Sequence, residues 1–534
     1  MKEFFKALLD RKNPHVPLGG FLLIAIIFIS FFDNALAVGL LFIFLLTLGV
    51  FIILFYGGVK NKDVYLLFLI AIAVHLGAVA CIVYSNFHLG GGADFTGYHQ
   101  SAMDIAERFR QGNFSLDGVG LLNYWPVLVA VVYAVTIPAM IVGQLFTVFL
   151  SALAILVLYF IIIEIGGFKK VAFWFSLLVV FYPSHLYFGS VLLKDAVVIP
   201  LILLGLWLSL RMYKKFSVIL FLGFFLILTC LTHLRFYVGF ALLFSFIISW
   251  FLLSNFNIKK RAIYGLVMIS ILGFSSQILG NGYYGFNNFK EFLNIKKITD
   301  FREVTYNSVA LKSQEPSAAV VTKASNPAPA PAPAPIPTSP ANSVLVLGSV
   351  PSIITPKTPT IEPVPVPQKA QEEQSSSAGE GSSFVIETGF KQGPLKFVEN
   401  SLRSFVYALL GPFPWQIRYQ RQIIALLETI PWYIFIVLWM YLAVDFIKKR
   451  GGREFLRSHA FALPLLLFGV FALGALSLFI NNYGIITRIR IPMILSFVAI
   501  MSLIFNNYHE KISHYWRSGL YWLASFKKTV RAGK

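Results

Sequence analysis

Nine residues have the types needed for acid–base or phosphate chemistry and stand at the edges of long apolar runs: Asp94, His99, His185, Lys194, Asp195, His233, Arg235, Arg488 and Arg490. A carboxylate held beside a hydroxyl can take its proton. Guanidinium and ammonium groups can hold a phosphate, arginine through a planar fork and lysine as a point charge. Charged groups next to hydrocarbon are costly, so a set drawn from several runs marks a functional site.

Asp94 lies in LGGGADFTGYHQ (residues 89–100), just after an apolar run. Two readings stand for it: an N-cap accepting from the first amides of a following helix, or a general base at the membrane surface. Lys194-Asp195 interrupts SVLLKDAVVIPLILLG. Lys194 either snorkels to headgroups or meets a phosphate, and Asp195 either caps a helix beginning at Ala196 or supplies a second carboxylate. Arg488 and Arg490 in NNYGIITRIRIP read as a phosphate grip or as interfacial anchors, and His233 with Arg235 in LTHLRFY is a weaker version of the same signal. His99 and His185 read as interfacial polar residues, because no HExxH-type spacing links them. Walker, GxSxG, CxxC and dinucleotide-binding motifs are all missing from the chain, and a divalent metal is compatible with the sequence without being required by it.

The elements that must position these residues are membrane helices. Of 534 residues 57% are hydrophobic and 13% charged, against roughly 25% charged in soluble domains. Backbone in lipid must satisfy its own hydrogen bonds, so the runs are helical and the fold class is all-α and polytopic. About twelve spans are expected: Pro17 to Phe32, Leu36 to Phe55, Val64 to Tyr84, Met140 to Ile165, Val171 to Pro183, Ala196 to Leu210, Phe216 to Leu231, Phe236 to Leu253, Ala262 to Leu279, Pro431 to Phe446, Ala460 to Ile480 and Ile491 to Phe505. The basic N-terminal stretch before the first of these reads as a retained span rather than a cleaved signal. Cys81 and Cys230 sit inside apolar runs as packing residues.

The formal charge of +20 is spread in short clusters between spans, which is a topology signal and not a nucleic-acid footprint. With a cytoplasmic N-terminus, Lys60 and Lys62, Lys169 and Lys170, Arg211 to Lys215, Lys259 to Arg261, Lys448 to Arg453 and the basic tail all fall inside. Both termini are then cytoplasmic, in what reads as a bacterial plasma membrane. The segments 86–138, 184–195, 232–235, 280–430 and 481–490, which carry the nine residues, fall outside.

Within the first outer segment, Ala102, Ile105, Ala106 and Phe109 share a helical face, predicting a short helix on the membrane surface. Tyr124-Trp125-Pro126 opens a run to Ile137 too short to cross alone, expected to be a re-entrant or partly inserted helix. The Pro-, Ala- and Ser-rich segment 314–383 cannot bury a core and is expected to be a disordered tether. It divides an N-terminal membrane core (1–313) from a C-terminal part (384–534), which opens with an amphipathic helix over Leu395 to Leu410.

Asp94, Tyr98 and Ala102, followed by NYWPVLVAVVYAV, EIGGFKK, FYPSHLYFGSVLLKDAVVIPLILLGLWLSLRMYKK and TRIRIPMI, resemble the GT-C superfamily of membrane glycosyltransferases, in particular bacterial relatives of protein O-mannosyltransferases and aminoarabinose transferases. The family pattern Asp-Glu-x-x-Tyr-x-x-x-Ala is matched except at Phe95, which replaces the acid. The resemblance implies inverting transfer of a sugar from a polyprenyl-phosphate donor to a glycan, lipid or protein acceptor outside the cell. It implies Asp94 as base, Asp195 as supporting carboxylate, and Tyr98, His99, Lys194, His233, Arg235, Arg488 and Arg490 around the substrate. Two other readings stand beside it: an O-antigen polymerase or ligase using lipid-pyrophosphate glycans, and a secondary transporter, which would place its polar groups nearer the midplane.

Overall fold

The computed structural model describes residues 27–85, 92–116, 119, 123–267, 393–416, 420–479, 483–506 and 508, and the ordered elements among them are helical. Residues 307–381 cluster as a separate unit outside the described residues. The expected tether therefore lies outside them too, as do most of the spans expected at Pro17 to Phe32 and Ala262 to Leu279.

Among the described residues, seven helices are long and apolar enough to cross a membrane: α1 (Asn34–Tyr56), α2 (Lys62–Ser85), α5 (Met140–Glu164), α8 (Asp195–Lys214), α9 (Val218–Arg235), and the apolar stretches Leu426–Arg450 of α12 (Gln420–Arg450) and Ala460–Leu478, which contains α14 (Leu463–Phe479). The intervening elements are α3 (Gly92–Arg110), α4 (Trp125–Val135), α6 (Lys169–Val180), α7 (Pro183–Phe188), α10 (Tyr237–Leu253) and α11 (Pro394–Leu410). The series closes with α12 (Gln420–Arg450), α13 (Gly452–Ser458), α15 (Tyr483–Ile489) and α16 (Ile491–Asn506). Twelve full-length spans are not what the described residues form. The run Val171 to Pro183 makes only the 12-residue α6, about 18 Å long, against a hydrocarbon core of about 30 Å. It stops where Tyr182 and Ser184 turn to bond Glu428. Likewise α10 and α16 are shorter apolar helices.

The core lies along α5 and α8, each with 78% of its apolar window buried, against 28% for α1 and 22% for α12. The inner pair is therefore held by protein on every side while the outer ones offer apolar faces to lipid, as an assembly of membrane helices requires. Next to α8, α9 and α10 form a hairpin. The backbone leaves helical geometry at Arg235 (φ −154°, ψ 83°), and the rings of Phe224 and Phe246 meet at 4.6 Å. Along one straight helix those residues would stand about 33 Å apart. Gly205 of α8 admits this hairpin: a Cβ there would lie 2.7 Å from Leu242 Cδ2 and 3.4 Å from Ile227 Cγ2, one neighbour from each arm.

The predicted face of α3 is present, with Ala102, Ile105 and Ala106 buried. That face packs on α4. Trp125, Val129, Ala130 and Tyr133 of α4 are buried as well. Arg110 closes the pair by donating to the carbonyls of Tyr133 (2.6 Å) and Thr136 (3.0 Å) beyond the C-terminal end of α4. The amphipathic helix expected at Leu395 to Leu410 is α11, which buries Asn400, Ser404 and Ala408 and exposes Leu395, Val398 and Leu402.

The two ends of the bundle differ in chemistry. At one end the basic linkers are tied down: Lys214 pairs with Glu164 at 2.8 Å, the Trp250 indole donates to Arg261 O at 3.0 Å, and Asn506 donates to Gly166 O at 3.1 Å. At the other end α2 finishes, α3 and α8 begin, α9 turns into α10, and α15 leads into α16. That second end holds Asp94, Lys194, Asp195, Arg235 and Arg488.

Candidate functional site: a carboxylate and guanidinium cluster

Asp195 is the centre of the cluster. Its side chain is 3% exposed, and the two oxygens serve different arginines: Arg235 Nη2 meets Oδ1 at 2.6 Å, and Arg488 Nε bonds Oδ2. Arg235 also donates to the Tyr237 hydroxyl at 2.7 Å, bracing it across the α9–α10 turn. The backbone break that makes the hairpin is thus the feature that delivers this guanidinium. The expectation that Asp195 caps a helix starting at Ala196 is corrected, since Asp195 is itself the first residue of α8 and its carboxylate is engaged by arginine.

Arg488 joins this buried centre to the surface. While Nε holds Asp195, Nη1 reaches Asp94 Oδ2 at 2.8 Å. Asp94 is 52% exposed and sits in the first turn of α3, not before it, so the N-cap reading is corrected. Phe95, where the family pattern has an acid, packs with Tyr98 against Ile82, Tyr187, Val191 and Leu193. It anchors the start of α3 to the bundle by apolar contact. One turn on from Asp94, Tyr98 is bonded by Asn123, and burial together with the Asp94 charge raises its hydroxyl pKa.

Lys194 completes the cluster. It is half-buried and, among the described residues, has no hydrogen bond or ion pair of its own. Burial, and after it the Arg235 guanidinium, pull its ammonium down to about 8. The five side chains therefore hold three cationic groups against two carboxylates. An excess cation in a partly dehydrated place is an anion site.

The other predicted residues go elsewhere. His99 Nδ1 lies 2.8 Å from the Tyr133 hydroxyl, facing α4. His233 stacks on Tyr124 with ring centroids 4.9 Å apart. His185 is buried beside His75, 5.2 Å away in edge contact, rather than at an interface. Arg490 turns inward: its guanidinium pairs with Glu428 at 2.8 Å and donates to the carbonyls of Ala408 and Gly411. Tyr182 and Ser184 donate to the same Glu428 carboxylate. The i→i−4 bonds continue through this segment, from Arg490 N to Ile486 O and from Ile494 N to Arg490 O. Residues two apart on a helix differ by about 200° around its axis, so Arg488 and Arg490 cannot face one ligand.

Glu428 was not among the expected residues. Its only signal is a lone acid within ALLETIPW, which reads as readily as a helix-end carboxylate. Asn123, the partner of Tyr98, carries no signal at all.

Among the described residues, no group of three or more His, Cys, Asp or Glu side chains is placed to hold a metal ion. The cluster can instead do two things: hold an anion on Lys194 and Arg488, and present a half-exposed carboxylate, Asp94, to a group arriving from solvent. No protein-family model, no curated protein and no solved structure matches this chain.

Proposed function

We propose that the protein is a membrane glycosyltransferase that moves a sugar from a polyprenyl-phosphate donor to an acceptor hydroxyl on the extracytoplasmic face. The observation that carries the reading is the placement of Lys194, which has no counter-ion of its own among the described residues, within the same cluster as Arg488 and Asp94. Phosphate leaving-group handling and proton acceptance thus share one end of the bundle. The positive-inside distribution of Lys and Arg places that end outside.

In the proposed reaction the acceptor oxygen attacks the anomeric carbon as the bond from that carbon to the phosphate oxygen breaks. Asp94 takes the hydroxyl proton, and the electron pair of the breaking bond leaves with the polyprenyl phosphate. Lys194 and Arg488 stabilise the charge that develops there. Asp195, buried and doubly bonded to arginine, positions Arg488 and Arg235 and does not itself touch substrate. Because the leaving group stays in the lipid, the reaction needs no nucleotide-binding domain.

The test is sugar transfer in membranes supplied with a polyprenyl-phosphate sugar. Asp94→Asn is expected to lower transfer by roughly 10²–10⁴-fold, the usual worth of a general base. Undiminished transfer would remove Asp94 from the chemistry, and solute flux in proteoliposomes without any transfer would favour a transporter.

A further inference from the structure

We infer that Asp94 occupies, on Arg488, the place that an incoming phosphate takes, so that phosphate binding and release of Asp94 are one exchange. The inference rests on the proposed phosphate site and says how that site is armed.

The two carboxylates on Arg488 differ in how firmly they are held. Asp195 is 3% exposed and also gripped by Arg235, so it stays as the permanent counter-ion. Asp94 is 52% exposed, and Arg488 is its only ion-pair partner among the described residues. Water can replace that contact, and so can another anion. A half-exposed ion pair of this kind is weak, whereas a phosphate bound between Arg488 and Lys194 would gain two cations at once. Among the described residues Lys194 has no ion pair of its own to give up.

The exchange has a chemical consequence. While Arg488 Nη1 donates to Asp94 Oδ2, one lone pair of that oxygen is committed to the guanidinium and the carboxylate is held against it. When phosphate takes the Nη1 donor, the carboxylate is released at the first turn of α3, where an acceptor arrives from solvent. The donor lipid thus frees from its ion pair the base that the reaction needs.

The experiment compares full-length wild type with Asp94→Asn and Asp94→Ser in detergent micelles or nanodiscs. Farnesyl phosphate and inorganic phosphate are the two probes, and binding is read by calorimetry. Removing the resident carboxylate is expected to tighten phosphate binding by roughly two- to fivefold, the range of an exposed ion pair, while transfer is lost. Lys194→Ala is expected to weaken it. A gain with both probes assigns the phosphate head as the ligand, and a gain with farnesyl phosphate alone assigns the lipid form. Unchanged or weaker binding in both Asp94 variants overturns the exchange even if transfer depends on Asp94. Tighter binding in a protein with no transfer activity keeps the exchange and removes the transferase reading. Because Arg488 keeps Asp195 in either variant, the fold does not rest on Asp94, and matched thermal unfolding checks this.

Discussion

Asp94 and Asp195 share one arginine, and their replacement by asparagine should have very different effects on stability. In Asp195→Asn, Arg235, 7% exposed, loses its one ion-pair partner among the described residues, and Arg488, 11% exposed, is left with the half-exposed Asp94 alone. Removing one partner of a buried ion pair costs about 3–5 kcal/mol, because the remaining charge stays uncompensated away from water. In Asp94→Asn the lost pair is half-exposed and Arg488 retains Asp195, so the cost is about 0.2–1 kcal/mol. The difference of at least about 2 kcal/mol is some thirtyfold in the folding equilibrium. The assay is equilibrium unfolding in mixed micelles, followed by helical circular dichroism, with both variants prepared in parallel. Adding Arg235→Met to Asp195→Asn should recover part of the loss by deleting the stranded cation. Equal destabilisation by the two single variants would refute the assignment of Asp195 as the fixed counter-ion and Asp94 as the exchangeable one.

Arg490→Lys should destabilise by about 2–4 kcal/mol, since an ammonium cannot reproduce the fork that reaches Glu428 and the Ala408 and Gly411 carbonyls; unfolding midpoints check this, and phosphate affinity should not follow it. Gly189→Ala should cost about 1–3 kcal/mol, because its Cβ would press on Ser151 Oγ and on His185 O at 2.6 Å, again read by unfolding. Lys194 is held down to about 8 by burial first and Arg235 second, so it carries charge below that pH and loses it above. Affinity for farnesyl phosphate should therefore fall by roughly tenfold as pH rises from about 7 to 9, a range where the phosphate charge is already complete, and Lys194→Ala should flatten the profile. The same depression makes charged Lys194 a stability cost that is relieved as pH rises from about 8 toward its ordinary 10.5.

The amino-acid sequence by itself determined the solvent and the class of element. Runs such as those of α1, α2 and α5 can satisfy their backbone in lipid only as helices, and the three-to-four-residue spacing of Ala102, Ile105 and Ala106 marks a helical face whatever covers it. Local pattern also brought Asp94, Lys194, Asp195, Arg235 and Arg488 under suspicion, because charge beside hydrocarbon is costly enough to need a reason. What local pattern could not supply was partnership. Asp195 and Arg488 are 293 positions apart, and their meeting depends on which helix ends coincide once α8, α9, α10 and α16 are packed. The same packing decided that α4 covers the apolar face of α3, that Phe95 serves as an apolar anchor, and that Arg490 faces the lone acid Glu428 in the interior. Helical period alone turns Arg488 and Arg490 to opposite sides, but only the tertiary structure decides which of them meets Asp195 and which meets Glu428, because those partners come from distant helices.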